Sequence, residues 1–152
     1  LQLKKRKLVK KNRFIISGGG TGGHIYPAVS IANMIIKSIP NSEIRFIGAI
    51  GKMEMRIVPK YGFKIKGLWI SGLQRSVSIR NILLPFKLIF SLFQSIVELI
   101  VYKPKFVIGT GGYASFPMLL VSHMFRIPTL IQEHSLQINY QNHLHLNLDH
   151  LQ

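Results

Sequence analysis

Residues Ser17–Pro27 read "SGGGTGGHIYP". Five glycines and one threonine separate the short β-branched run "RFIIS" (Arg13–Ser17) from a segment with helical spacing of apolar residues that starts at His24. Glycine loses more backbone freedom on folding than any other residue, so this density needs a reason. Without a Cβ, backbone N–H groups can approach an oxyanion closely, and the helix that follows adds the positive end of its dipole. The order strand, glycine loop, helix is the opening unit of a doubly wound α/β sheet.

Working outward, "HIYPAVSIANMIIKSI" (His24–Ile39) places Ile25, Ala28, Val29, Ala32, Ile35 and Ile36 on one helical face, with Pro27 expected in the first turn. A second strand is predicted over Glu43–Ala49, a short helix ending near Pro59, and a third strand over Phe63–Ile70. The long apolar segment Ser78–Lys103 leads into a fourth strand, Pro104–Gly109. A second glycine loop, "GTGGYAS" (Gly109–Ser115), then precedes a helix over Phe116–Phe125 and a fifth strand over Ile127–Glu133. Alternating strands and helices predict an α/β fold, a parallel Rossmann-like sheet covered on both faces. In the strand order 3-2-1-4-5, strands one and four are neighbours at the point where the winding reverses. Both glycine loops would then open into one crevice beyond the carboxyl ends of the strands, where such folds bind ligands.

Two loops of this kind suit a group with two phosphates, or a phosphate and a sugar. Gly18, Gly20 and Gly23 satisfy G-x-G-x-x-G, but the position near the end of the second strand that would hold an acidic residue for a dinucleotide ribose reads Gly48-Ala49. A Walker loop is excluded because His24-Ile25 follows Gly23 where Lys-Ser/Thr is required. His24 lies at the start of the helix, where the positive end disfavours imidazolium and leaves an imidazole able to accept a proton. It reads either as a general base for a hydroxyl nucleophile or as a residue that hydrogen-bonds the loop. Glu133, at the end of the fifth strand, is expected to point to the same crevice, to orient a substrate hydroxyl or to hold a loop.

The 152 residues are enough for one domain with a core, and with no cysteine there is neither a disulfide nor a thiolate metal site. A formal charge of +15 calls for an anionic partner or surface. Seven of the twenty basic residues fall within Leu1–Arg13, so residues 1–12 read as a basic extension, either solvated or touching anionic headgroups. No aromatic stacking pattern or zinc finger supports nucleic acid. His143, His145 and His150 lie in a divergent tail, residues 134–152, expected to be disordered.

The stretches "ISGGGTGGHIYPAVSIA", "FIGAIGKMEMRIVPKYGFKIKGLWISGLQR" and "KPKFVIGTGGYASFP…IPTLIQE" closely resemble the amino-terminal half of the peptidoglycan N-acetylglucosaminyltransferases of glycosyltransferase family 28, the MurG enzymes. The likeness runs from about Arg13 to Glu133, and G-G-T-G-G-H together with G-T-G-G-Y-x-S makes it specific. It implies a GT-B enzyme whose first Rossmann-like domain takes a polyprenyl-diphosphate-linked MurNAc-pentapeptide and whose second holds UDP-GlcNAc, with neither metal nor cofactor required. Gly19, Gly20, Thr21, Gly22 and Gly23 would face the donor sugar and acceptor diphosphate. Gly109, Gly111, Gly112, Tyr113 and Ser115 would complete the diphosphate site, and His24 would be the base that activates the C4 hydroxyl of MurNAc. Two departures stand out: Phe116 replaces a glycine after the second loop, where its bulk would narrow the crevice, and Ser135 replaces a donor-contacting asparagine. The carboxy-terminal donor domain is expected to be absent, as in a truncated or frame-shifted product, and the chain alone to be inactive.

The twenty residues Ile82–Val101 are long enough to span a bilayer, but Lys87, Gln94 and Glu98 interrupt them. A crossover helix buried along one face is the expected form. Ile82, Phe86, Ile89 and Phe93 would make an exposed apolar stripe, flanked by Arg75, Arg80 and Lys87 for anionic headgroups. The resemblance implies peripheral attachment to the cytoplasmic face of the bacterial inner membrane. The alternatives are a non-catalytic lipid-diphosphate-binding module and a basic membrane-associating protein whose glycine loops are structural.

Overall fold

A computed structural model describes residues 11–72 and 83–132. Residues 1–10 of the basic extension, Arg75, Arg80, Ile82, Glu133 and the tail 134–152 lie outside the described residues. The elements are β1 (Asn12–Ser17), α1 (Gly22–Ser38), β2 (Ser42–Ala49), α2 (Glu54–Ile57) running on into a 3₁₀ turn (Val58–Tyr61), β3 (Lys64–Leu68), α3 (Leu84–Tyr102), β4 (Phe106–Gly109), α4 (Phe116–Met124) and β5 (Thr129–Ile131). The five strands pair in parallel in the order β3-β2-β1-β4-β5, as the alternation of elements predicts.

Side chains on successive strand residues point to opposite faces, and the two cores divide accordingly. Ile16, Phe46 and Ile108 pack with Ile25, Ala28, Val29 and Ala32 of α1 and with Val58 and Phe63. Ile15, Ile47, Leu68 and Val107 pack with Leu99 and Tyr102 of α3 and with Met118 and Val121 of α4. A central sheet covered on both sides needs the near-continuous apolar strands seen in β1 and β4.

Several boundaries differ from the sequence reading. α1 begins at Gly22, so Pro27 is an interior residue and not part of the first turn. The helix starts early because the positive-φ run at Gly19 and Gly20 ends before Thr21, which caps from an extended conformation. The short α-helix ends at Ile57, near Pro59 as expected, and runs on as a 3₁₀ turn over Val58–Tyr61 that closes on Gly62 at φ 81°. β3, β4 and β5 are shorter than expected. Before β4, Lys103 adopts φ 52° as the left-handed cap of α3 and delays the strand to Phe106.

α3 docks along one face, as expected, and leaves the described part of the predicted apolar stripe outside. Its buried residues are Ser91, Ser95, Glu98, Leu99 and Tyr102, whereas Phe86, Ile89, Phe93 and Val101 are each more than three-fifths exposed. All three polar interruptions of the apolar run point inward. Glu98 pairs with Arg45 of β2 and with Lys66 of β3 (2.6 Å). Gln94 accepts the Trp69 N–H at 2.8 Å, and Lys87 donates to Ser71 Oγ at 3.2 Å. The two serines allow close approach and return their hydroxyls to the helix backbone, Ser91 to Leu88 and Ser95 to Ser91. Tyr102 completes this side. Its hydroxyl donates to the Glu43 carbonyl at 2.9 Å under the Arg45 guanidinium, and burial, with the Glu43 charge, pushes the phenol up to about 12.

Burial opposes ionisation of Glu98, but hydrogen bonds and charge from Lys66 and Arg45 outweigh it and hold the carboxyl below its ordinary value. A carboxyl depressed on folding stabilises the native state above its unfolded pKa and loses that contribution as pH falls through the folded pKa. Glu98→Gln is therefore expected to lower stability by about 1–3 kcal/mol at neutral pH. It should also flatten the stability loss that wild type shows as pH drops below about 4.5. Urea unfolding of both proteins across pH 3–7 measures this.

Candidate functional site

β1 and β4 are neighbours, with Ser17 opposite Gly109, so the loops that leave their carboxyl ends begin side by side. They are in direct contact. Thr110 N–H donates to the Ser17 carbonyl at 2.9 Å, and Gly19 N–H reaches the Gly111 carbonyl at 3.4 Å. Gly112, at φ 80°, lies so close to the Gly19 carbonyl that any Cβ there would overlap it. Ser17 Oγ at the end of β1 donates to the Ala114 carbonyl of the second loop at 3.3 Å, and Ser115 Oγ closes that loop internally on the Gly112 carbonyl at 2.8 Å.

His24 is held in this junction. A Cβ on Gly111, at φ 96°, would fall 2.7 Å from the His24 Nδ1. That nitrogen lies 2.9 Å from the Thr110 carbonyl oxygen, which can only accept, so Nδ1 carries the proton and Nε2 keeps its lone pair. Of the two readings of this histidine, the hydrogen bond to the loop is present, and in the neutral ring it fixes the tautomer.

The glycines serve the protein's own packing more than open space. Gly18 leaves room for Thr110, Gly109 for Leu119, Gly72 for the ring of Tyr113, and Gly19 and Gly48 for the side chain of Glu54. Gly23 is the exception in the first loop, where a methyl group would find only Thr21 Oγ1 within 4 Å. Gly22 and Gly23 open α1, so their N–H groups lack intrahelical partners. Neither loop contains a charged residue, which leaves backbone donors and the helix end to meet an anion.

Sequence reasoning missed Glu54. It is 1% exposed, and its two oxygens accept the Ala49 N–H at 2.9 Å and the Gly20 N–H at 3.0 Å. The available signal was a single acidic residue in a short helix just after the Gly48-Ala49 strand end. Tyr113 contributes its ring to the floor of the first loop, and burial, with the Glu54 charge, raises its phenol pKa. Phe116 does not fill the junction of the loops. It is half exposed and, with Tyr113, Leu84, Leu88 and Ile70, lines an apolar cavity of about 490 Å³ between the second loop and the start of α3. A hollow of about 550 Å³ lies at the opposite end of the sheet, near Lys11, Glu43 and Tyr61, away from both loops. Of the expected headgroup contacts, Phe86, Ile89 and Phe93 are exposed together, while Lys87 turns toward Ser71 and the ring of Trp69.

The profile of the glycosyltransferase family 28 N-terminal domain matches residues 14–143. The chain belongs to that family. Its curated relatives include the UDP-N-acetylglucosamine--N-acetylmuramyl-(pentapeptide) pyrophosphoryl-undecaprenol N-acetylglucosamine transferase of Christiangramia forsetii, 55% identical over 80% of this chain and 33% of the relative. The enzyme of the same name from Cytophaga hutchinsonii is 54% identical over 82% of this chain and 34% of its own length. The crystal structure of Acinetobacter baumannii MurG superposes with a TM-score of 0.69 at 27% identity, over 82% of this chain and 35% of that one. This family 28 chain thus spans about a third of the length of the curated relatives it matches. Its α/β, Rossmann-like sheet is that of the family's amino-terminal domain.

The interlock of the loops predicts a graded response to methyl groups. Gly112→Ala should destabilise the domain by about 2–4 kcal/mol through overlap with the Gly19 carbonyl and the left-handed backbone. Gly62→Ala, at φ 81° with nothing within 4 Å, should cost only about 1–2 kcal/mol. Thermal melts of the two variants make the comparison.

Proposed function

We propose that residues 13–133 are the acceptor-binding unit of an inverting N-acetylglucosaminyltransferase. The reaction moves GlcNAc from UDP-GlcNAc to the C4 hydroxyl of MurNAc in undecaprenyl-pyrophosphoryl-MurNAc-pentapeptide. The curated relatives carry names that state this donor and this acceptor. The observation that carries the reading is the junction of two uncharged glycine loops with an imidazole whose Nδ1 is committed to the Thr110 carbonyl.

In this reading the N–H groups of Gly22 and Gly23, with the helix end behind them, and the second loop at Gly112, Tyr113 and Ser115 face the acceptor diphosphate. Gly19, Gly20, Gly109 and Gly111 shape the two loops, and Thr21 lies at their rim. Nε2 of His24 takes the proton of the C4 hydroxyl as that oxygen attacks C1 of GlcNAc. The C1–O bond to UDP breaks on the opposite side, UDP leaves with the electron pair, and the anomeric configuration inverts. The donor-binding half corresponds to the part of the relatives that this chain does not span. Glu133, outside the described residues, belongs to the reading as an orienting group at the end of β5.

The exposed stripe of Phe86, Ile89 and Phe93 supports peripheral attachment at the cytoplasmic face of the inner membrane, since a polyprenyl acceptor stays in the bilayer. α3 is long and apolar enough to cross a membrane by length and composition, yet its polar residues are all engaged with the sheet side. Docking by the polar face leaves the apolar face for lipid.

Titration with a soluble short-chain diphosphate-linked acceptor analogue should shift the amide signals of Gly22, Gly23, Gly112 and Tyr113. Saturation without movement of these four sinks the reading. When the domain is joined to a donor-binding half, His24→Ala should lower kcat about 10²–10⁴-fold with little change in KM. For the membrane, the chain should float with anionic vesicles, and Phe86→Ser with Phe93→Ser should abolish flotation. Equal recovery with anionic and neutral vesicles removes the electrostatic part.

A further inference from the structure

Glu54 is buried to 1% exposure, and both carboxylate oxygens are occupied by backbone N–H groups from different parts of the chain. The bond to Ala49 is local and closes the turn after β2. The bond to Gly20 spans 34 residues and reaches the first glycine loop from below. Two positions are shaped around this side chain, since a methyl group on Gly19 would strike the carboxylate and one on Gly48 would strike its Cγ. Gly19 at φ 155° and Gly20 at φ 90° take conformations open to glycine but not fixed by it, so the contact with Glu54 selects one of several accessible loop shapes.

The chemistry of the anchor has a consequence for binding. A carboxylate only accepts, so the Gly20 N–H is directed inward and withdrawn from any ligand. Its negative charge also disfavours a phosphate settling low in the loop. The first-loop donors that remain are Thr21, Gly22 and Gly23 at the start of α1, directly before His24 in the chain. We propose that Glu54 is a positioning residue, which occupies the Gly20 amide and thereby presets the first loop so that an anionic group meets the helix end next to His24. The inference rests on the acceptor-binding reading for its ligand, but the loop geometry it asserts is measurable in the free protein.

Glutamine is isosteric, but its amide nitrogen would face one of the two N–H donors, so Glu54→Gln should release Gly20 while keeping the Ala49 contact. In free wild type, hydrogen exchange at the Gly20 amide should be slow. In Glu54→Gln it should quicken at least about tenfold, with Ile15, Ile16 and Val107 unchanged. Affinity of this variant for the soluble diphosphate-linked analogue should fall about tenfold, the scale of one charge-assisted hydrogen bond. Free exchange of Gly20 in wild type overturns the proposal without any variant. So does a variant that loses protection in the core strands together with Gly20, since that marks a purely structural carboxylate. Unchanged affinity in a folded variant with a released Gly20 overturns it as well. If wild type ignores the analogue while Gly20 is protected and Glu54→Gln frees it, the acceptor reading fails and the loop anchor stands.

Discussion

The contact between Gly112 and the Gly19 carbonyl is possible only because β1 and β4 lie side by side, and the rest of the site follows from it. Two turns that leave adjacent parallel strands meet within a few ångströms, and any side chain at the meeting point would push them apart. The positive φ at Gly111 and Gly112 brings the second loop under His24, so that the Thr110 carbonyl can take the Nδ1 proton. A backbone carbonyl is a fixed acceptor, and it assigns the ring's tautomer without a carboxylate partner. The topology of the sheet therefore reaches as far as the lone pair on one nitrogen.

Much of this was readable from residue order. Alternation of short β-branched runs with helical spacing defines a parallel sheet, and the repeated strand-glycine-helix unit marks the two central strands. The pattern did not reveal what the glycines accommodate. Their density suggested space for a ligand, whereas Gly19 and Gly48 are filled by Glu54, which arrives from a different element. A contact across 34 residues leaves no local periodicity to detect. Helix limits were missed for a related reason: Thr21 caps α1 only because the preceding glycines adopt conformations that their letters permit but do not require.

α3 shows the limit of reading hydrophobicity as burial. Its mean character is apolar, yet the stripe of Phe86, Ile89 and Phe93 was expected at the surface and is exposed there; what the pattern did not show is how polar the docking face is. In the structure the inward face carries Ser91, Gln94, Ser95 and Glu98, each with a hydrogen-bond or ionic partner, beside the buried Leu99 and Tyr102, while Phe86, Ile89 and Phe93 point away. Burying a carboxylate is costly unless cations meet it, and Arg45 and Lys66 supply them from adjacent strands. Neither cation is near Glu98 in the sequence, so the orientation of the helix depends on the sheet having formed.

The two borders of the sheet are chemically unlike. β3 carries the exposed Lys64, with Lys66 on the same face held by Glu98, and β5 presents Thr129, Leu130 and Ile131, of which the last two are more than half exposed. An incoming extended segment at β3 would have to strip water from ammonium groups, whereas at β5 it would gain apolar cover. Among the described residues the sheet is thus asymmetric at its borders, charged beside β3 and aliphatic beside β5.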